Sequence, residues 1–152
     1  MPIRCQHAET VRTTPTEAFA AIDNLALTSK WLPPCVSLEK IGPGPNAPGD
    51  KLRYVYKHGG RTEEMEGEIV DRIPGQRLHC KYNDSTFEVS VDMSVAAAGP
   101  DATVTTHVIE ITPKRLMASL MSPLIRLGLE KQTREAAANL KRLLEESKST
   151  NP

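Results

Sequence analysis

Two successive glycines, Gly59-Gly60, separate two runs of alternating side chains, and they constrain this chain more than any other feature. A Gly-Gly pair tolerates the positive-φ backbone of a two-residue hairpin turn, so the flanking runs pair antiparallel in a defined register. That register sets Lys51 opposite Glu68 and Arg53 opposite Glu66 on one face. On the other face it sets Leu52 opposite Gly67 and Tyr54 opposite Met65. Opposite-charge cross-strand pairs contribute about 0.2–1 kcal/mol each, and here they mark the wet side. The acidic stretch Glu63-Glu64-Met65-Glu66 then reads as a solvated sheet face rather than a metal site.

Alternation continues on both sides of the hairpin. Upstream, Ile3, Cys5, His7, Glu9 and Val11 share one strand face. Thr14-Pro15-Thr16-Glu17 opens a short helix: Thr14 caps it, Pro15 suits its first position and Glu17 reaches back. Phe19 and Ile22 share one side of that helix, and a second short helix, residues 25–31, ends at Pro33-Pro34. A strand over residues 36–41 leads into a proline-interrupted loop from Gly42 to Gly49. Downstream, Leu78, Cys80 and Tyr82 alternate, Asn83-Asp84-Ser85 turns, and Phe87, Val89, Val91, Met93 and Val95 alternate again. A two-residue turn there keeps the same faces together and sets His79 opposite Glu88; His79 and His58 both read as surface residues. After Ala98-Gly99-Pro100-Asp101 comes a last strand, residues 102–111, whose facing depends on the loop. A four-residue loop buries Val104, Thr106, Val108 and Glu110, whereas an odd loop buries Thr105, His107 and Ile109.

From Lys114 the period turns helical, and Ser122-Pro123 reads as a cap and a restart. The run over residues 124–146 spans about 35 Å at 1.5 Å per residue. Ile125, Leu129, Thr133, Ala136, Leu140 and Leu143 form its buried stripe, with Lys131, Arg134, Lys141 and Glu145 toward water. Strand, two short helices, several antiparallel strands and a long helix make an α+β fold. One curved sheet with the last helix lying across it satisfies every pattern. Residues 1–147 read as a single domain, followed by a disordered C-terminal tail over 148–152.

Composition narrows the function. Nineteen Lys plus Arg balance nineteen Asp plus Glu, so the chain lacks the concentrated basic surface of a nucleic-acid binder. No apolar run approaches the roughly 20 residues that span a bilayer, so no integral membrane association is expected. Met1-Pro2-Ile3-Arg4-Cys5-Gln6-His7 lacks the apolar centre of an export signal, and a cytoplasmic location is expected. Cys5, Cys35 and Cys80 are odd in number and widely spaced, which suits neither a disulfide framework nor a zinc knuckle. Each reads as a small buried apolar residue. No metal and no cofactor is expected, because phosphate-cradling glycine loops, His-Glu-x-x-His helices and a Ser–His–Asp order are all missing.

Particular residues carry a resemblance to a known family. They are the run Val11-Arg12-Thr13-Thr14-Pro15-Thr16-Glu17-Ala18-Phe19, then Asp23, Trp31 and Gly49-Asp50. The strand–turn–strand from Ile69 through Pro74-Gly75 to Leu78 belongs with them, as do Leu124-Ile125-Arg126 and Asn139-Leu140-Lys141-Arg142-Leu143-Leu144-Glu145. Over essentially its whole length the chain resembles the START-like superfamily, also called SRPBCC or helix-grip. Within it the chain resembles the polyketide cyclase/dehydrase and lipid-transport branch. The resemblance implies a seven-stranded antiparallel sheet wrapped round the C-terminal helix, with an apolar cavity between them. It implies a hydrophobic small-molecule ligand, lipid- or polyketide-like, or else cyclase, aromatase or dehydratase chemistry inside the cavity. Fold alone does not choose between them.

The implied walls are Leu52, Tyr54, Tyr56, Met65, Ile69, Leu78, Cys80, Phe87, Val89, Val91 and Met93, with Leu124 and Gly128 from the helix. Gly128, Thr133, Ala136 and Ala137 either let the sheet approach closely or leave a void. Trp31 either gates the mouth or anchors the short helices. Tyr54 and Tyr56 either orient a ligand carbonyl or serve as half-buried hairpin residues. His7 and Glu9 either form an inward acid–base pair or mark a strand end reaching water. The Met-rich segment Leu116-Met117-Ala118-Ser119-Leu120-Met121 suits a partner or membrane-surface contact, and a homodimer is one form this contact takes.

Overall fold

The computed structural model describes residues 2–149. Strand β1 (Ile3–Val11) is followed by α1 (Pro15–Asp23), a 3-10 turn (Leu25–Leu27) and α2 (Thr28–Trp31). Six more strands follow: β2 (Cys35–Ile41), β3 (Lys51–His58), β4 (Arg61–Ile73), β5 (Arg77–Asn83), β6 (Phe87–Ala97) and β7 (Thr103–Pro113). Two helices close the chain, α3 (Leu116–Leu120) and α4 (Ser122–Ser149). α4 runs two residues into the segment expected as tail, and residues 150–152 lie outside the described residues. The seven strands form one antiparallel sheet in the order β1-β7-β6-β5-β4-β3-β2. α1 and α2 therefore carry the chain from one sheet edge to the other. This is the α+β helix-grip architecture expected from the sequence, with α4 lying chiefly against β1 and α2.

The local chemistry behaves as the sequence dictates. Thr14 caps α1 by accepting from the Glu17 N–H, and Pro15 occupies the first turn. Gly59 and Gly60 both take positive φ, and β3 pairs β4 with Lys51 across from Glu68 and Leu52 across from Gly67. Irregular pairing between Cys35 and Ser37 and between Ile69 and Asp71 adds the bends that curl a sheet round a helix.

Four details differ from the sequence reading. Arg53 makes its ion pair diagonally with Glu64, at 2.7 Å, rather than directly across with Glu66. The β5–β6 turn falls later because the Asp84 carboxylate accepts from the Thr86 and Phe87 N–H groups, so His79 faces Asp92, not Glu88. The β6–β7 connection is odd in length, closed by Ala98 N–H donating to the Ala102 carbonyl, and it buries Thr103, Thr105, His107 and Ile109. On α4 the stripe also takes in Ala137 and Leu144, while Ile125 and Leu143 are only half-buried.

Candidate functional site: a cavity between sheet and helix

Along each central element the inward face changes character partway. On β3, Leu52 is sealed in the core, yet Tyr54 and Tyr56 border open space. On β4, Ile69 is sealed while Met65 borders the same space. α4 repeats the pattern. Its C-terminal half seats Ala136 and Leu140 in the core, while its first turns pack Ile125 and Leu129 against β1 and β7 and border the open space with Leu124 and Gly128. A Cβ placed on Gly128 would meet nothing within 4 Å, so this small residue faces open space rather than a close helix–sheet contact. The result is a cavity of about 460 Å³.

Most of the residues expected in the wall are there. Trp31, Tyr54, Tyr56, Met65, Leu78 and Cys80 line the cavity. So do Phe87, Val89, Val91 and Met93 along β6, and Leu124 and Gly128 on α4. Leu52 and Ile69 do not: both are packed into the closed core, where β3 and β4 meet without a gap. His7 and Glu9 do not reach the cavity either. They hydrogen-bond to each other at 3.0 Å with 29% and 28% of their side chains exposed, and Lys141 sits 3.6 Å from Glu9. His7 is the middle residue of β1 and Glu9 lies two further on, both half-buried.

Of the wall residues missing from the sequence reading, two bear most on its chemistry. Tyr82 lies in the wall, its ring 5.3 Å from that of Tyr54, which stacks on Tyr56 at 5.2 Å. The ring fits because Gly67 sits across from it: a Cβ there would come within 2.5 Å of Tyr82 Cδ1. A glycine inside an alternating strand, opposite a tyrosine, was the available signal. The second is His107, paired with His7 across β1 and β7 and only 4% exposed. Its ring meets Trp31 edge-on, with centroids 6.3 Å apart. Neither ring nitrogen of His107 nor Trp31 Nε1 has a hydrogen-bond partner, and none of the three is reached by water.

Apart from Lys57 and His58, exposed residues that also border it, the cavity is lined by groups that are uncharged at physiological pH. Burial, together with the neighbouring His7, lowers His107 to about 4. Burial pushes Tyr56 up to about 12, helped by Asp84, whose carboxylate accepts its hydroxyl at 3.3 Å. Burial likewise raises Tyr54 and Tyr82, and it pushes the Cys80 thiol up to about 12. The wall therefore offers hydroxyls, a neutral imidazole and aliphatic surface. Among the described residues, no three His, Cys, Asp or Glu side chains are grouped to hold a metal ion.

The model of the polyketide cyclase/dehydrase and lipid transport family matches residues 2–145. No curated protein matches the sequence. Among solved structures, the chain is similar to the Zhui aromatase/cyclase of a Streptomyces species, with 10% identity and TM-score 0.81, covering 95% of this chain and 94% of that one. It is similar to a START superfamily protein from Mycobacterium smegmatis, with 12% identity and TM-score 0.78, covering 94% and 97%. It is also similar to a truncated norcoclaurine synthase from Thalictrum flavum, with 17% identity and TM-score 0.69, covering 95% and 94%. At such identities these likenesses speak for the fold.

Proposed function

Because the chain belongs to the polyketide cyclase/dehydrase and lipid transport family, we propose that it binds an uncharged hydrophobic small molecule between the sheet and α4. One observation carries this reading: an apolar space of about 460 Å³ in a chain otherwise packed to its core. Ligand pockets fall in the range of roughly 300–1,000 Å³, with mostly apolar walls and a few polar groups that orient the guest. Here the orienting groups are the Tyr54, Tyr56 and Tyr82 cluster on one side and the Trp31–His107 pair on another. The nitrogens of that pair are covered. A turn of the imidazole about its soft Cβ–Cγ torsion presents one of them to a ligand oxygen. Lys57, exposed beside the cavity, is the one Lys, Arg, Asp or Glu among its lining residues, so the buried wall offers no ionised partner to a charged guest.

Anilinonaphthalene sulfonate fluorescence with competing lipids and aromatic ketones tests the reading. Displaceable uptake is expected in the natural protein. Gly128→Phe should abolish it without unfolding the chain, because the new ring enters open space. Uptake that is absent in the natural protein, or unchanged in this variant, overturns the proposal.

The alternative is catalysis in the same space, as a cyclase, aromatase or dehydratase. The observation favouring it is His107, neutral and without a hydrogen-bond partner. A neutral imidazole accepts a proton from a carbon acid while a tyrosine hydroxyl polarises the adjacent ketone. Turnover of a polyketide-like substrate should then fall by about 10²–10⁴ in His107→Ala. It should be unaltered in His7→Ala and Glu9→Ala, whose side chains lie outside the cavity.

A further inference from the structure

The mouth of the cavity carries an apolar ridge that nothing among the described residues covers. Leu116, Met117, Leu120, Met121, Leu124 and Leu127 are exposed by between 51% and 77%. Two of them, Met121 and Leu124, also line the cavity, so the ridge is its lip. Residues 111–129 contain Lys114, Arg115 and Arg126 and no carboxylate, in a chain whose formal charge is zero. Among the described residues, these three cations bond to the Asn83 side chain and to backbone carbonyls of Arg4, Asp84 and Ser85, and to no acid. The nearby Asp84 carboxylate is turned inward onto Thr86, Phe87 and Tyr56.

We propose that this ridge docks on an anionic lipid surface, with the leucines and methionines among the acyl chains and the three cations at the headgroups. Charge decides the occupant. A symmetric dimer through the ridge would set the same three cations against themselves. A protein partner would be expected to meet aromatic or arginine anchors in fitted pockets. The ridge instead offers scattered flexible aliphatic side chains flanked by positive charge, as interfacial helices do. Docking stands apart from the ligand reading. Only the added consequence, that an apolar guest passes between cavity and bilayer without crossing water, rests on it.

Co-sedimentation of the full chain with phosphatidylcholine vesicles and with mixed phosphatidylcholine–phosphatidylglycerol vesicles tests the proposal. Binding to the mixed vesicles is expected, weaker binding to the neutral ones, and a decline with added salt. The double variant Leu116→Glu, Leu120→Glu should lose vesicle binding while keeping its circular dichroism and its uptake of anilinonaphthalene sulfonate without vesicles. Lys114→Gln, Arg115→Gln and Arg126→Gln should each lose about fivefold in affinity. Absence of binding to mixed vesicles, or full binding by the double glutamate variant, overturns the proposal. So does light scattering that shows a dimer of the natural chain which that variant dissolves, since a second copy then covers the ridge. If vesicles bind but the fluorophore does not, docking stands and the ligand reading fails.

Discussion

The two halves of this molecule share the same strands and the same long helix, yet they treat polar groups in opposite ways. In the closed half every buried hydroxyl is bonded. Thr103 donates to the Thr13 carbonyl at 2.7 Å, Thr133 to the Leu129 carbonyl at 2.7 Å, and Thr105 to the Glu9 carbonyl at 3.4 Å. Asp23 takes two bonds from Arg72 and two from Asn46, of which one goes to its backbone carbonyl, tying the proline-rich loop to α1. In the open half the Trp31 indole and both nitrogens of His107 have no partner. An unbonded buried polar group costs about 1–3 kcal/mol. One half is built for stability, and the other gives some up to keep a space open.

Truncating leucines on the same helix is the strongest way to break this contrast. Leu140→Ala, at the closed end, should cost about 2–5 kcal/mol by denaturant unfolding. Leu124→Ala, 64% exposed at the mouth, should cost within about 0.5 kcal/mol. Equal costs would mean the halves do not differ.

His107→Leu should do what core substitutions rarely do, raising stability by about 1–3 kcal/mol near pH 7 while weakening ligand uptake. The natural protein adds a pH signature. Its folded-state His107 lies near 4 against an ordinary 6.5, so the unfolded chain takes up the proton first. Stability is therefore undiminished above about 6.5 and falls as pH drops toward 4, and the leucine variant should lose that part of the slope. Unfolding midpoints across this range check it.

Gly67→Ala sharpens the contrast at the boundary. Its new methyl presses on the Tyr82 ring, so the variant should lose about 1–3 kcal/mol by overpacking and shift the tyrosine fluorescence of the wall. A smaller effect than that of Gly67→Ala belongs to Asp23→Asn. Burial raises the Asp23 carboxyl, but Arg72 and Asn46 outweigh it and hold it below its ordinary 3.8. That contribution is present above pH 3.8 and lost as pH falls below it. The variant should cost roughly 0.5–1 kcal/mol after solvent screening and show a shallower acid limb in the unfolding curve.

What could be read in advance follows from the range of the physics involved. Gly59-Gly60, Thr14-Pro15 and the period-two runs act over a few residues, and the hairpin register, the helix cap and the strand faces all emerged from them. His107 was decided by whether a loop had an odd or even count, which neither Gly99-Pro100 nor its neighbours specify. The β5–β6 turn moved because one carboxylate, Asp84, took two backbone donors that a general turn preference ignores. Small residues on α4 left two readings open. Ala136 turned out to allow close packing and Gly128 to lie exposed beside the open cavity, a distinction of three-dimensional distance that composition does not encode.

The sheet order has a further consequence in time. β1 pairs only with β7, strands about a hundred residues apart in the chain. At about 5–20 residues per second, the first strand waits on the order of ten seconds after leaving the ribosome before its mate exists. Closing so long a loop also slows refolding of the finished chain. Newborn copies thus carry an orphan edge, Ile3–Val11, as their period of greatest exposure to aggregation and chaperones.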